Sequence, residues 1–327
     1  MKKVYIHRLG EFYNFYMDKE NEEFLSSFCE IVTEGSRKAP LSDDELIRRM
    51  SGAEVLLSMH GYGSGEITDD ILKQIPSLKL ICIAHWCEQF AETEQNTGIR
   101  VVEVSNGNTI AVAEWTLACA LMGVRKIVEF NDKLKRGSQW CEPRRTVGML
   151  AESVVGIVAL GRIGRYVARY MRMLGAKVIA HDKYATPEEA RKLDIELVDM
   201  DEVFARSDVI SIHLPVLPST RGLIKAEHFS RIKDGAVLIN SSRAAIYDEA
   251  ALVKELATGR FNAYIDVFSI EPIPDDHPFR SMDNVTITPH IAGDNLGMFH
   301  RCGREAISAI KEYFETGNVV DRKLLLP

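Results

Sequence analysis

The sequence lacks the cysteine pattern of a disulfide-rich or zinc-binding protein. It contains no C-x-x-C pair, and its cysteines are scattered, several of them inside apolar strand or helix patterns. Cysteines used in this way are typical of reduced thiols in a reducing compartment. The six are Cys29, Cys82, Cys87, Cys119, Cys141 and Cys302. We therefore expect free thiols and no disulfide framework.

Targeting signals and an excess of positive charge are also missing. The opening stretch MKKVYIHRLGEFYNFY has two lysines but no apolar run of signal-peptide length, and no segment reaches the roughly 18 apolar residues of a membrane span. The formal net charge of −7 would repel the phosphates of nucleic acid, and no stripe of Lys and Arg offsets it. We expect a cytoplasmic protein that binds neither nucleic acid nor a membrane.

What the sequence does contain is enough apolar material for two globular domains. The chain has 327 residues, whereas single hydrophobic cores stop growing at roughly 250–300 residues. Hydrophobic residues make up 46% and charged residues 27%, with no low-complexity tract and no internal repeat. Short apolar runs alternate with amphipathic stretches throughout, which predicts an α/β fold with parallel sheets.

Two series of strands are predicted, separated by a long helix. The first series is KKVYIH, EIVTE, AEVLLSMH, LKLICIAH and IRVVEV, and the second is VVGIVAL, AKVIAHD, DVISIHLP, GAVLINSS, NAYIDVF and NVTITPH. Between them, apolar residues recur at helical spacing from Asn108 until Gly137, which predicts one long helix that crosses between the domains. A last amphipathic helix is predicted from about Asn295 to Gly317.

Residues 154–182 carry a dinucleotide-binding pattern. A buried strand runs into Ala159-x-Gly161-x-x-Gly164, a helix and a second strand follow, and that strand ends in Asp182. Gly161 lets a pyrophosphate approach the backbone, Gly164 allows the helix to pack closely on the strand, and the helix N-terminus offers free N–H groups. Asp182 is placed to accept hydrogen bonds from a ribose 2′-hydroxyl and would repel a 2′-phosphate, which favours NAD over NADP.

Ala159 departs from this pattern, because it stands where the fingerprint has its first glycine. A methyl group is tolerated without cost at that position only if the backbone keeps a negative φ.

Four ionisable side chains follow later strands of the second series. Arg243 lies in INSSRAAIYDEAAL, Asp266 and Glu271 in YIDVFSIEPIPDDHPF, and His290 in VTITPHIAGDN. Because ligands of open α/β sheets bind beyond the carboxyl ends of the strands, we expect these side chains to converge on a nicotinamide. Each taken alone has an ordinary structural explanation, such as a helix cap, a turn acid or a strand-end histidine.

The chain resembles the D-isomer-specific 2-hydroxyacid dehydrogenases over nearly its whole length, most strongly from Asn108 to Ala292. The resemblance is carried, in the family's order, by AVAEWTLACAL, GIVALGRIG with the later Asp182, HLPVLPSTRGLI, NSSRAAIYDEAAL, DVFSIEPIP and TPHIAG. It implies an NAD-dependent oxidoreductase that passes a hydride between nicotinamide and C2 of a small 2-hydroxy or 2-keto acid.

The resemblance implies that the catalytic residues are Arg243, Glu271 and His290. His290 would protonate the carbonyl oxygen of a keto acid and act as the base in the reverse direction, because imidazolium is a natural proton donor near neutral pH. Glu271 would hold the other ring nitrogen and favour the protonated ring. Arg243 would polarise the carbonyl and bind the substrate carboxylate through its planar fork. Asp266 would hydrogen-bond the nicotinamide carboxamide.

The resemblance also implies the cofactor contacts and the domain arrangement. Residues 1–104 with 296–327 would form a flavodoxin-like substrate domain and residues 105–295 an NAD-binding Rossmann domain, with the active site in the cleft between them. Family members usually dimerise through the cofactor domain and its helical arm, so we expect a homodimer; no metal ion is implied. The residues implied to bind NAD are Gly161, Arg162, Ile163, Gly164, Asp182, His213, Pro215, Ser241, Asp266, His290 and Gly293.

The sharpest departure from the family lies at residues 84–89, where this chain reads AHWCEQ. Family members commonly have a small, glycine-containing loop there, whose N–H groups hold the substrate carboxylate. His85, Trp86 and Cys87, together with Arg243, are therefore our candidates for substrate binding. The bulky side chains would alter the substrate or the shape of the loop; alternatively, they point away while the backbone still binds the carboxylate. Ala244 likewise replaces the glycine that usually follows the arginine.

Other functions stay open on the sequence alone. An NAD(H)-sensing binding protein of the corepressor type keeps the same arginine, glutamate and histidine, and an enzyme of this fold could take another hydride donor such as phosphite. Formate is disfavoured because formate dehydrogenases typically have Gln in place of Glu271. Hydroxypyruvate or glycerate, lactate, phosphoglycerate and aryl-pyruvates all fit as substrates. Because the sequence shows no long C-terminal regulatory domain, we do not expect a phosphoglycerate enzyme of the type regulated by serine feedback.

Overall fold

The computed structural model of this chain describes residues 2–7, 13–33, 37, 39–59, 64–84, 88–104, 106–138, 140 and 147–319. The chain divides into two compact units, Met1–Asn108 with Asp294–Pro327 (unit 1) and Thr109–Gly293 (unit 2). Each unit is built on one parallel β-sheet. The two sheets confirm the predicted α/β fold class.

Unit 1 contains a five-stranded sheet in the order β2-β1-β3-β4-β5, with every pairing parallel, which is the flavodoxin-like order. All strands predicted in the first series are present. They are β1 (Lys3–His7), β2 (Glu30–Val32), β3 (Val55–Ser58), β4 (Leu80–Ile83) and β5 (Arg100–Glu103). The central strands are buried on both faces, which explains why they read as continuous apolar runs.

The helices of unit 1 pack against this sheet. On one face, Tyr5, Leu56 and Ile81 lie in register and pack with Leu46 and Ile71 from two of the helices. The helices are α1 (Tyr13–Tyr16), α2 (Lys19–Ser26), α3 (Asp43–Met50), α4 (Asp69–Lys73), α5 (Thr93–Thr97) and α13 (Leu296–Thr316). The predicted last helix is confirmed, since Asn295 caps its start and Gly317 ends it in the left-handed conformation.

Unit 2 contains a seven-stranded parallel sheet in the order β12-β11-β10-β9-β6-β7-β8. The strand order reverses between β6 and β9, so the carboxyl ends of these strands form the crevice where open α/β sheets bind ligands. The strands are β6 (Val154–Val158), β7 (Lys177–His181), β8 (Glu196–Leu197), β9 (Val209–Ile212), β10 (Val237–Asn240), β11 (Asn262–Ile265) and β12 (Val285–Ile287). The six predicted strands are confirmed; the two-residue β8 is too short to leave a pattern in the sequence.

The helices of unit 2 follow the expected alternation with its strands. Their starts use ordinary capping chemistry: Thr186 and Glu189 form a capping box, and Asp248 accepts a hydrogen bond from the N–H of Ala251. The helices are α8 (Arg162–Met173), α9 (Pro187–Lys192), α10 (Met200–Arg206), α11 (Ala226–Phe229) and α12 (Glu249–Leu256).

The long helix predicted between the two strand series is in fact two helices, α6 (Asn106–Val124) and α7 (Ile127–Lys135). The prediction of one helix was wrong because Lys126 adopts a left-handed backbone with φ 51°, which interrupts a right-handed helix. The apolar spacing continues across this residue, so periodicity alone does not reveal the break.

Helix α6 also qualifies the expectation that no segment could span a membrane. It has 19 residues and is apolar enough to do so by length and composition, and 44% of its apolar window is buried inside the chain. A core helix of a globular domain has the same properties, so this feature is weak support for a membrane span.

The cysteines in the described part of the chain, Cys29, Cys82, Cys119 and Cys302, are buried thiols that form no disulfide, as predicted. Burial raises the pKa of the Cys29 and Cys302 thiols to about 12, so both are unreactive thiols at neutral pH. Across the described residues, no group of three His, Cys, Asp or Glu side chains could hold a metal ion.

Candidate active site

The turn between β6 and α8 is shaped for an anion. Gly161 caps the 12-residue helix α8, and no side chain fills that cap. A Cβ built on Gly161 would meet no atom within 4 Å, so the space above the helix N-terminus is open. Arg162 and Ile163 are the first residues of this helix, and the backbone N–H groups of a first helical turn have no partner within the helix.

Gly164 serves the packing of the helix on the strand. A Cβ at this position would lie 2.1 Å from the carbonyl oxygen of Ala159, which no rotamer change could relieve. Glycine is therefore required at position 164, as the fingerprint indicates.

Ala159, in contrast, carries a cost. Its φ is 79°, in the left-handed region where a side chain is disfavoured, so the condition for a cost-free methyl group is not met. The second glycine replaced in this chain, Ala244, is not among the residues with positive φ. The two alanines therefore differ in strain although both replace family glycines.

We expect Ala159→Gly to raise the free energy of unfolding by roughly 1 kcal/mol, because glycine adopts positive φ without a Cβ penalty. Ala244→Gly is the matched control: its backbone suits alanine, so the substitution should lower stability by about 0.5–1 kcal/mol through greater freedom of the unfolded chain. Urea unfolding of both variants measures the two changes. Shifts of the same sign would contradict the assignment of strain to Ala159.

Asp182 directly follows β7 and accepts three backbone hydrogen bonds. Its Oδ2 accepts from the N–H of Leu160 at 2.7 Å, and its Oδ1 accepts from those of Tyr184 and Ala185 at 2.7 and 2.9 Å. A carboxylate offers about four acceptor sites, so one is left for a ribose hydroxyl. The residue thus ties the glycine turn to the end of β7 and still fits the role predicted for it.

Three further residues predicted to bind the cofactor closely follow strands β9 and β10. His213 contacts the hydroxyl of Ser211 at 2.8 Å, and burial lowers its pKa to about 3, so its ring is neutral at physiological pH. Pro215 is exposed. Ser241 is buried, and no described residue hydrogen-bonds its hydroxyl. An unsatisfied buried hydroxyl at the carboxyl edge of the sheet is consistent with a ligand partner such as a nucleotide.

Asp266, after β11, is fully buried and holds the loop that carries His290. Its carboxylate accepts hydrogen bonds from the Thr288 hydroxyl and from the backbone N–H groups of Ile291 and Ala292, the latter two at 2.8 Å. The adjoining Gly293 ends unit 2. Three acceptor sites of the Asp266 carboxylate therefore hold the loop after β12 in place.

Glu271 and His290 form a close pair. Nδ1 of His290 lies 2.7 Å from Oε2 of Glu271, and the other carboxylate oxygen accepts the backbone N–H of Phe268 at 2.9 Å. Burial by itself raises the pKa of Glu271, but the hydrogen bonds from His290 and Phe268 and the charge of Arg243 outweigh it and hold the pKa below 4.5. Glu271 is therefore an anion at neutral pH, and Nε2 of His290 is left to face a ligand.

Arg243 completes the group of charged side chains. It is exposed, and its Nη1 donates to the carbonyl oxygen of Ser242 at 2.6 Å, which leaves the other donors of the guanidinium available to a ligand. The structure therefore brings Arg243, Glu271 and His290 together at the carboxyl edge of the unit 2 sheet. The arrangement offers a proton carrier, an anion that orients it, and a cation for a carboxylate or a carbonyl oxygen.

Comparison with known proteins decides which family this arrangement represents. Residues 117–292 match the model of the D-isomer specific 2-hydroxyacid dehydrogenase NAD binding domain. The glyoxylate reductase of Thermofilum pendens is 32% identical over 302 residues, which cover 90% of this chain and 86% of that protein. The chain belongs to the D-isomer specific 2-hydroxyacid dehydrogenase family. Its glycine turn and Asp182 lie within the matched NAD-binding domain.

Other relatives in the dehydrogenase family differ in length and substrate. The D-3-phosphoglycerate dehydrogenase of Archaeoglobus fulgidus is 34% identical over 271 residues, which cover 80% of this chain and 50% of that protein. The chain thus spans about half the length of the phosphoglycerate dehydrogenases it matches. A crystal structure of a phosphoglycerate oxidoreductase from Rhizobium etli superposes with a TM-score of 0.81 at 24% identity, covering 98% and 97% of the two chains, and shows the common fold.

Three predicted site residues lie outside the described part of the chain, and two residues near the site were not predicted. His85, Trp86 and Cys87 lie outside the described residues, so their part in substrate binding stays a prediction. The sequence pattern did not indicate a role for Glu249 or His277, which lie next to the segment that carries Glu271. Glu249 lies in NSSRAAIYDEAAL and His277 in EPIPDDHPF, segments that also contain Arg243 and Glu271. An acid and a histidine near a turn have no spacing that distinguishes them from ordinary surface residues.

Proposed function

We propose that this dehydrogenase catalyses NAD-dependent interconversion of a small 2-keto acid and its D-2-hydroxy acid. The pairing of His290 with Glu271 beside Arg243, at the carboxyl edge of an NAD-binding sheet, carries the proposal. NADH, when bound, supplies the hydride that C2 of the keto acid accepts. The chain's own residues bind the acid, polarise its carbonyl group and supply the proton.

The proton has one clear source. Because Nδ1 of His290 is engaged by Glu271, Nε2 is the nitrogen that donates a proton to the carbonyl oxygen as that oxygen becomes a hydroxyl group. In the reverse direction the same nitrogen removes the hydroxyl proton. The negative charge of Glu271 stabilises the imidazolium form that reduction requires, and Arg243 binds the substrate carboxylate through charge-assisted hydrogen bonds.

A screen of NADH oxidation over a panel of 2-keto acids tests this function. The panel should contain glyoxylate, hydroxypyruvate, its 3-phosphate, pyruvate and phenylpyruvate, because they span the sizes and charges that the sequence left open. Saturable oxidation of NADH with at least one of them is the expected result. Tight NADH binding without turnover on any member would instead support the NAD(H)-sensing alternative.

We expect NADH to be preferred over NADPH, because the Asp182 carboxylate repels a 2′-phosphate and can accept a bond from a 2′-hydroxyl. Comparing kcat/KM for the two reduced cofactors measures the preference, and Asp182→Ala should narrow the gap. Since Asp182 also ties down the glycine turn, thermal unfolding of the variant must be followed in parallel. Equal or better use of NADPH by the wild-type enzyme would refute this prediction.

A homodimer formed through α6 and α7 is the second part of the proposal. Less than half of the apolar window of α6 is buried inside the chain, α7 has no buried residue, and Leu121, Ile127 and Leu134 on these helices are exposed. Exposed apolar side chains concentrated on neighbouring helices favour contact with a second copy of the chain. We further expect the dimer to work in the cytoplasm.

Light scattering at micromolar concentration should report about twice the 36.8 kDa mass of one chain. The double variant Ile127→Asp with Leu134→Asp should shift the mass to that of a monomer, because buried carboxylates without partners oppose association. Met173→Asp, which changes an exposed apolar residue on α8 instead, is the matched control and should stay dimeric. A monomeric wild-type chain would exclude the dimer.

A further inference from the structure

A second carboxylate, Glu249, holds the segment that carries Glu271. Oε2 of Glu249 accepts the backbone N–H of Ser269 at 3.2 Å, and Glu271 accepts the N–H of the neighbouring residue, Phe268, at 2.9 Å. Two glutamates thus bind two successive backbone N–H groups of the same turn. Glu271 also binds His290, whereas Glu249 contacts the backbone of the turn.

His277 lies beside Glu249. Its Nδ1 accepts the backbone N–H of Phe279 at 3.2 Å, so the ring proton is on Nε2, which lies 3.5 Å from Oε1 of Glu249. The imidazole packs against the rings of Phe279 and Phe268, with centroids 4.7 and 6.3 Å apart. Both side chains of this pair are largely buried. One oxygen of Glu249 is therefore hydrogen-bonded to Ser269, and the other lies close to the ring of His277.

Glu249 also belongs to the connection that carries Arg243. It is the first residue of α12, six positions after Arg243, and the helix start is fixed by the cap from Asp248. Its bond to Ser269 therefore joins the connection after β10 to the connection after β11. Arg243 lies on the first of these connections and Glu271 on the second, so the contact links the two segments that carry these side chains.

We propose that Glu249, oriented by His277, is a positioning residue that sets the alignment of Glu271 with His290. The proposal rests on the function proposed above, in which His290 donates the proton. A hydrogen-bonded pair transmits charge stabilisation only in the right geometry, and a misplacement of about 1 Å can cost up to about 10²-fold in rate. Loss of the Glu249 contact frees the turn at Ser269 and so loosens Glu271, whose carboxylate accepts the N–H of Phe268 in the same turn.

Glu249→Ala is expected to lower kcat for keto-acid reduction about tenfold, within the range known for loss of positioning. KM for NADH should be unchanged. The alkaline limb of the pH–rate profile should move to lower pH, because the Glu271 carboxylate, which bonds to His290 and feels the charge of Arg243, is then less well aligned with the imidazole. Glu249→Gln keeps an oxygen that can accept from Ser269 and should recover most of the rate.

Glu255→Ala is the matched control for stability. Glu255 lies on the same helix and pairs with Arg260 at 3.0 Å, so its removal should lower the melting temperature without moving the pH profile. A purely structural Glu249 would behave in the same way as this control. Equal pH profiles for Glu249→Ala and the wild-type enzyme, with only a lower melting temperature, would overturn the proposal.

NMR titration of the histidine ring signals separates this proposal from the proposed function. The His290 signal of Glu249→Ala should titrate at lower pH than that of the wild-type protein, whether or not a substrate has been found. Identical His290 titrations would overturn the positioning role. Failure of the wild-type protein to reduce any keto acid would refute the proposed function alone, because the NMR comparison uses no substrate.

Discussion

Replacing His290 with alanine is expected to lower kcat for keto-acid reduction by about 10²–10⁴, the usual contribution of a general acid. The variant still has the glycine turn, Asp182 and Arg243, so NADH binding should be retained and the loss should fall on the proton-transfer step. Steady-state kinetics with the best keto acid, together with NADH fluorescence titration, measures both quantities. A variant with nearly full kcat would show that the proton comes from another group.

Glu271→Gln tests whether the histidine and the carboxylate act as one unit. The neutral amide no longer stabilises the imidazolium ion, so the alkaline limb of the reduction profile should move to lower pH. His300→Ala is a matched control, because His300 pairs with Asp18 at 3.4 Å and has a similar side-chain exposure, 38% against 41% for His290. It should leave both rate and profile unchanged. An unshifted limb in Glu271→Gln would count against the pairing.

Removing the carboxylate of Glu66 is expected to lower the free energy of unfolding by about 3–5 kcal/mol, the usual cost of breaking a buried ion pair on one side. Glu66 accepts hydrogen bonds from His7 at 2.7 Å, from Arg37, and from the backbone N–H of Leu41 at 2.9 Å. The side chain of Glu66 is only 4% exposed and that of Arg37 12%. Glu66→Ala would leave the Arg37 cation partly buried without this anion.

The pH dependence of stability gives the same contact an independent test. Burial raises the pKa of Glu66, but the bonds from His7, Arg37 and Leu41 outweigh it and lower the pKa from 4.5 to about 2. A carboxyl group with a depressed pKa stabilises the fold above its unfolded-state value, and the contribution is lost as the pH falls through its folded-state value. Wild-type unit 1 should therefore lose this stability between about pH 4.5 and pH 2.

Glu45→Ala is the control for Glu66→Ala in urea unfolding at neutral pH. Glu45 receives three guanidinium bonds, from Arg48 and Arg49, against two from Arg37 at Glu66, but it lies on the surface of α3, where water screens the charges. Its loss should be much smaller than that of Glu66. Similar losses in the two variants would show that burial adds nothing to the Glu66 contacts.

The strands show how far an apolar pattern determines this fold. Strands β1, β3, β4, β6, β9 and β10 are short buried runs, and burial on both faces leaves the continuous apolar sequences from which they were predicted. The break at Lys126 and the two-residue strand β8 were not predicted, because one left-handed residue or two paired residues do not change the apolar spacing.

The sequence by itself determined which side chains are candidates for the chemistry of this protein. Gly161, Gly164, Asp182 and the charged residues after the later strands are recognisable because a parallel sheet brings its carboxyl strand ends to one edge, so that spacing along the chain predicts proximity in space.

Only the tertiary structure decided what each of these groups touches. In the structure Ala159 has a positive φ, and Asp266 hydrogen-bonds the loop that carries His290. Glu249 and His277 lie next to the turn that carries Glu271. Backbone dihedral angles and hydrogen bonds between distant segments depend on how helices and connections pack. The spacing of residues along the chain does not predict that packing.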